Sequence, residues 1–219
     1  MQIIKAVLFD PVGCLAEFPA QEFDEIAASL FDLKESASKS GSGAYWQLLD
    51  LMHCSGKKLN ASETQFAERL ELQAVNRAGL YEDVGPALAE LKAMGITLLI
   101  ASSLSAAAVT RFLEAFSLND FFSAVWTRDN AGGVKMAPLA NAIESASVQP
   151  QHVMALVDTI DSLQVAKEVG ANSILMINDY DEGRRLAQHA PSGGIVSLHE
   201  LPDAIRLVAE NAKQRLTRE

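Results

Sequence analysis

Apolar, β-rich runs recur along the chain at Ile3–Phe9, Ile96–Ala101, Ala124–Trp126, Val153–Val157 and Ser173–Ile177, with a weaker one at Gly194–Leu198. Between and after them, apolar positions repeat with the helical period over Gly85–Ala93, Ser105–Phe116, Pro138–Ser147, Asp161–Val169 and Leu201–Lys213. Apolar strands alternating with amphipathic helices predict a mostly parallel sheet covered by helices on both faces. The expected fold class is α/β, with a Rossmann-like three-layer parallel-sheet core. Gly95, Asn119 and Gly170 stand where helix ends take a residue tolerant of positive φ, which supports these boundaries.

One stretch breaks the alternation. From Ala16 to Leu80 no convincing strand occurs, and this is far more chain than one crossover helix needs. Gln21–Phe31, Tyr45–Met52 and Ser62–Asn76 each place apolar residues at i, i+3 and i+4, while Lys34–Gly43, rich in Ser, Gly and Lys, reads as a flexible break. The expected organisation is a core of residues 1–15 and 81–219 with a helical unit, 16–80, inserted after the first strand. Its point of attachment makes it a lid over whatever that strand presents.

Composition narrows the class. With 219 residues, 49% of them hydrophobic, the chain can bury a sizeable core, either as one large α/β domain or as a core with a smaller insert. No apolar run approaches a membrane span, and the first residues enter a strand with no signal-peptide pattern, so a cytoplasmic protein is expected. Two cysteines, Cys14 and Cys54, and four scattered histidines supply neither a disulfide framework nor a soft metal site. A net charge of −10 argues against nucleic acid or anionic membrane as main partner, but leaves room for a local anion pocket and a phosphate ester.

Asp10 closes the first apolar run and is followed by Pro11-Val12-Gly13-Cys14. Open α/β sheets bind ligands outside the carboxyl ends of their strands, so a lone carboxylate emerging there is a candidate for chemistry. An Asx-turn or helix N-cap is the structural alternative.

Three further segments complete a constellation: Ser102-Ser103 after the second strand, Lys135 in Gly133-Val134-Lys135-Met136-Ala137-Pro138, and Asp158-Thr159-Ile160-Asp161-Ser162 after Val157. Their order, spacing and strand-end positions resemble the haloacid dehalogenase-like hydrolase superfamily from about Ile3 to Leu201. The insert resembles the helical cap of its phosphoglycolate-phosphatase and β-phosphoglucomutase-like branches. The resemblance implies a hydrolase, with Asp10 as nucleophile forming an aspartyl-phosphate, Ser102 donating to the transferring group and Lys135 neutralising its charge. It further implies Mg²⁺ held by Asp10, Asp158, the Val12 carbonyl and Asp161. Val12, Gly13, Cys14 and Ser103 would bind the phosphate of a small phosphorylated metabolite.

The chain departs from that pattern. Val12 stands where phosphatases of the family carry a second Asp that protonates the leaving group, a loss that typically costs about 10²–10⁴ in rate. Cys14 replaces Thr, Val157 replaces Gly, and Ser162 takes the place of a second acidic residue, with Asp161 one position early, so metal binding is expected to be weak. Two alternatives follow. One is a decayed domain that binds a phosphorylated ligand or a protein partner. The other is a phosphonate hydrolase, for which Lys57 or Lys58 would be the Schiff-base candidate, or a carbon–halogen hydrolase, in which Asp10 would act on carbon without metal.

Overall fold

The computed structural model describes residues 4–34, 39–178 and 180–216. In chain order the elements are β1 (Ala6–Phe9), β2 (Ala16–Glu17), α1 (Gln21–Phe31), α2 (Gly41–Cys54), α3 (Ala61–Arg77), β3 (Gly79–Leu80), α4 (Val84–Ala93), β4 (Thr97–Ala101) and α5 (Ala106–Ala115). Then follow β5 (Ala124–Trp126), α6 (Arg128–Ala131), α7 (Met136–Ser145), β6 (Val153–Val157), α8 (Ile160–Glu168), β7 (Asn172–Met176), α9 (Tyr180–Ala187), β8 (Gly193–Ile195) and α10 (Leu201–Leu216).

Six strands form one parallel sheet in the order β5-β4-β1-β6-β7-β8. Successive strand side chains point to opposite faces, and the core divides accordingly. Val7, Phe9, Leu98, Ile100, Met154 and Leu156 face one large cluster with residues of α4, α5 and α10. Ala6, Leu8, Leu99, Ala101, Ala155 and Val157 face a smaller one with residues of α7, α8 and α9. This is the expected three-layer α/β core. Each predicted sheet strand is present, although Ile3 lies outside the described residues and β1 begins at Ala6. The register pairs Phe9 with Ile100 and Leu8 with Ala155, so the loops after β1, β4 and β6 leave the sheet side by side.

Between β2 and β3 the chain forms α1, α2 and α3. The expectation of no strand there is corrected: Ala16–Glu17 pairs antiparallel with Gly79–Leu80, a two-residue ribbon at the neck of the insert. Two residues are too few to show a period. The Lys34–Gly43 break is also shorter at its end than expected, because Ser40 caps α2 by accepting from the Gly43 N–H at 3.1 Å, so Gly41–Gly43 are its first turn. Residues 35–38 lie outside the described residues. The insert has no core of its own separate from the sheet. Phe18 stacks on Phe112 of α5 at 5.8 Å, Phe23 packs on Tyr45 at 5.3 Å, and all four belong to the large cluster. No helix among the described residues is long and apolar enough to cross a membrane.

Candidate active site

Asp10 ends β1 and caps a tight turn, Pro11–Leu15, with proline at its first position, where a missing N–H costs nothing. Asp10 makes the Asx-turn contact and further side-chain contacts besides. Its Oδ1 accepts from the Val12 N–H at 3.2 Å, an Asx-turn contact, and from Ser102 Oγ at 2.8 Å, while Oδ2 lies 3.2 Å from the Tyr45 hydroxyl. Burial pushes the Asp10 carboxyl up to about 7, against the donors from Ser102, Val12 and Tyr45, and the charge of Asp158 adds to the rise.

Asp158 follows β6 and is buried. The loop carrying it closes on itself, because Ser162 Oγ accepts from the Asp158 N–H at 3.2 Å and the Thr159 N–H at 3.0 Å and donates to the Thr159 carbonyl. Ser162 thus terminates backbone donors at the start of α8. Gly13, at φ 76°, lies against the Asp158 carboxylate, and a Cβ there would sit 1.7 Å from Asp158 Oδ2.

The other candidates spread around this pair. Val12 is wholly buried in the large cluster, and Cys14 Sγ donates to the Leu156 carbonyl at 3.3 Å. Burial, then the charges of Asp158 and Asp10, push the Cys14 thiol well above its usual range. Ser103 Oγ accepts the Lys135 N–H at 2.7 Å. The Lys135 ammonium pairs with Asp50 of α2, and Asp161 shares that neighbourhood. Burial, then Asp50, raise the Asp161 carboxyl, and Lys135 opposes the rise. The structure therefore gathers Asp10, Ser102 and Asp158 at one point and sets the Lys135 ammonium, Asp50 and Asp161 as a second group. Lys57 lies apart: its ammonium bonds Glu63 and the Leu30 carbonyl at 2.8 Å each, over the Phe31 ring, and Lys58 is exposed.

Sequence reading missed the part played by α2. Ser42, Tyr45, Trp46 and Asp50 follow the spacing i, i+3, i+4, i+8, one face of a helix. That face meets the site throughout. Ser42 Oγ donates to Asp158 Oδ2, Tyr45 touches Asp10 and Ser102 and accepts from the Ser103 N–H at 2.8 Å, and Asp50 holds Lys135. Trp46 closes a cavity of about 20 Å³ beside Asp10 and Asp158, room for roughly one water. Across Asp158 a cavity of about 60 Å³ runs beside Ser42 and Asn178, and a further one of about 270 Å³ is lined by Gly13, Glu17, Ser42 and Tyr81. α3 adds an anchor: Glu71 binds Arg128 through both oxygens and accepts the Ser105 N–H at 3.1 Å, while Arg128 also donates to the Ser103 carbonyl at 3.1 Å.

Asp10 and Asp158 are an all-oxygen donor pair whose charges oppose one another in a buried place, and such a pair suits a hard divalent cation. Among the described residues no group of three or more His, Cys, Asp or Glu side chains is arranged around a metal.

The core is a three-layer parallel α/β sheet with a carboxylate just beyond its inner strand β1 and a helical insert next to it. The sequence profile of the haloacid dehalogenase-like hydrolases matches residues 23–176, and the chain belongs to that family. The matched segment begins after Asp10. YhcW from Bacillus subtilis (strain 168), a candidate phosphatase, is 26% identical over 203 residues, covering 82% of this chain and 90% of that protein. CbbY from Rhodobacter sphaeroides, solved in complex with phosphate, is 21% identical, with TM-score 0.65 over 90% of this chain and 96% of that one. The L-2-haloacid dehalogenase from Xanthobacter autotrophicus is also 21% identical, with TM-score 0.62 over 93% and 98%. These two structural likenesses establish the shared fold.

Proposed function

We propose that the protein is a phosphatase-type hydrolase of a small phosphate monoester, with Asp10 as nucleophile. The observation that carries this is the placing of Asp10 at the end of the central strand, its Oδ1 fixed by Ser102 and the Val12 N–H, beside a second buried carboxylate and under the insert. The names of YhcW and of the phosphate-bound CbbY support the same chemistry. An Asp10 oxygen would bond to phosphorus as the phosphorus–oxygen bond to the organic group breaks. The electron pair leaves with that oxygen, which takes a proton from water because Val12 has none to give. A second water then attacks the acyl phosphate and loses its proton to solvent, releasing phosphate and restoring the carboxylate.

Asp10 and Asp158, with the Val12 carbonyl, are the groups that would hold Mg²⁺. Bound there, it would neutralise charge as two anions approach. Ser102 donates to the transferring group. Lys135 would join once released from Asp50, and Gly13, Cys14 and Ser103 would border the phosphate. The roughly 20 Å³ cavity has room for little more than a water, so the ester would reach Asp10 and Asp158 from the larger cavities beside Ser42 and Gly13, of about 60 and 270 Å³.

The test is turnover of p-nitrophenyl phosphate, phosphonoacetaldehyde and a chloroacid, each with and without Mg²⁺. Nitrophenolate leaves without a proton, so this ester should be turned over with Mg²⁺, and Asp10→Asn should abolish its turnover. Activity confined to the other two substrates would replace the reading. The side chain at Val12 favours a second one, a domain that binds phosphorylated ligands without turning them over. That reading predicts phosphate binding by calorimetry and no turnover of any of the three.

A further inference from the structure

The Tyr45 hydroxyl is buried at the reaction centre yet belongs to the insert. It accepts from the Ser103 N–H at 2.8 Å and lies 3.2 Å from Asp10 Oδ2 and 3.3 Å from Ser102 Oγ. Its ring is packed between Phe23, at 5.3 Å, and Trp46, at 6.0 Å. Phenylalanine would fill the same space without burying a polar atom, so packing alone does not call for the oxygen. With Ser103 N–H donating to that oxygen, the phenolic proton is left for Asp10 Oδ2 or Ser102 Oγ. Ser102 donates its own proton to Asp10 Oδ1.

We propose that Tyr45 is a catalytic residue supplied by the insert: its hydroxyl donates a hydrogen bond to an oxygen of the phosphoryl group passing to Asp10, so the site is complete only when α2 is seated. The proposal rests on the phosphatase reading above. A phosphoryl group bonded to Asp10 Oδ2 would carry its oxygens into reach of the proton now directed at that carboxylate oxygen. The proton stays on Tyr45 throughout, so the water-derived proton at the leaving oxygen is still needed and the gap at Val12 is not filled. Ser102 hangs from the sheet and is present whether the insert is seated or not. Tyr45 arrives with α2, together with Trp46, which closes the cavity over Asp10. One helix thus carries both the second donor and an aromatic wall of the cavity beside Asp10.

Tyr45→Phe, assayed on p-nitrophenyl phosphate with Mg²⁺, should lower kcat by about 100-fold and leave KM within about threefold, as expected for one preorganised donor. An alkyl phosphate should lose the same factor, since the bond is to the transferring group. Inhibition by metavanadate, which mimics the five-coordinate phosphorus, should weaken by a similar factor. An unchanged kcat, or a rise in KM alone, would overturn the proposal. A much larger loss on the alkyl ester would also overturn it, by making Tyr45 a proton donor to the leaving group. Should the variant fail to fold, a crystal structure of the unaltered protein with metavanadate decides: Tyr45 Oη at about 2.6–3.0 Å from a vanadate oxygen supports the proposal, and a greater separation overturns it. Activity lost in Asp10→Asn but intact in Tyr45→Phe sinks this proposal alone. An unaltered chain that turns over no phosphate ester with Mg²⁺ sinks the phosphatase reading and this proposal with it.

Discussion

The loop after β4 and the loop after β6 reach the same edge of the sheet, and each brings a buried polar group to Asp10, yet they are held in opposite ways. The backbone of the β6 loop is held locally: Ser162, four residues beyond Asp158, collects its N–H groups, and the insert reaches only the Asp158 carboxylate, through Ser42. The β4 loop is tied from outside. From the insert, Glu71 accepts the Ser105 N–H and Tyr45 the Ser103 N–H; from the core, Arg128 donates to the Ser103 carbonyl, Trp126 accepts the Ser102 N–H and Lys135 donates its N–H to Ser103 Oγ. The difference separates two kinds of sensitivity. The backbone around Asp158 is set by local sequence, whereas the backbone from Ser103 to Ser105 takes part of its support from the insert.

The largest expected effect tests that dependence. Glu71 is buried and the Arg128 side chain is only 9% exposed, and removing one partner strands a buried charge, so Arg128→Ala should cost about 3–5 kcal/mol in urea unfolding. Hydrogen exchange should quicken in residues 102–105 and in α3 together. Loss of protection in only one of them would break the comparison. Ser162→Ala should cost less, about 1–2 kcal/mol, with exchange changing only near 158–162. If that variant loosened α2 or α3, the β6 loop would not be independent. The smallest effect is at Asp50, whose pair with Lys135 is partly exposed. Asp50→Asn should shift stability by less than about 1 kcal/mol and tighten inorganic phosphate binding by up to about fivefold in calorimetry, because the ammonium is released. Unchanged affinity would remove Lys135 from the anion site.

What the sequence made legible follows the same division. The four inner strands, β4, β1, β6 and β7, stand out because burial on both faces leaves nearly unbroken apolar runs, while the edge strands β5 and β8 are short and only partly buried. Asp10 stands out because it is a charge ending one of them. The ribbon of β2 and β3, and the short helices α6 and α9, are too brief or too polar to show a period. On α2 the period itself misled: Tyr45 counts as an apolar position in a helical repeat, and only the need of a buried hydroxyl for a partner hints at a second role. Asp50 and Ser42 look like ordinary surface residues. Glu71 and Arg128, 57 positions apart, meet only through the fold. Ser162 reads as a lost acidic ligand, whereas in the structure its hydroxyl closes the loop that carries Asp158.

Gly13 sets a limit on how this loop can change over time. Every single-base change that alters a glycine codon to another amino acid introduces at least a Cβ, and at this position that atom would fall 1.7 Å from an Asp158 oxygen, on a backbone at φ 76°. The flanking positions are freer. Val12 and Cys14 have ordinary side chains in the buried interior, and both already differ from the pattern this family is expected to show. Gly13 is therefore the position of this turn least able to accept any other residue for as long as Asp158 keeps its place.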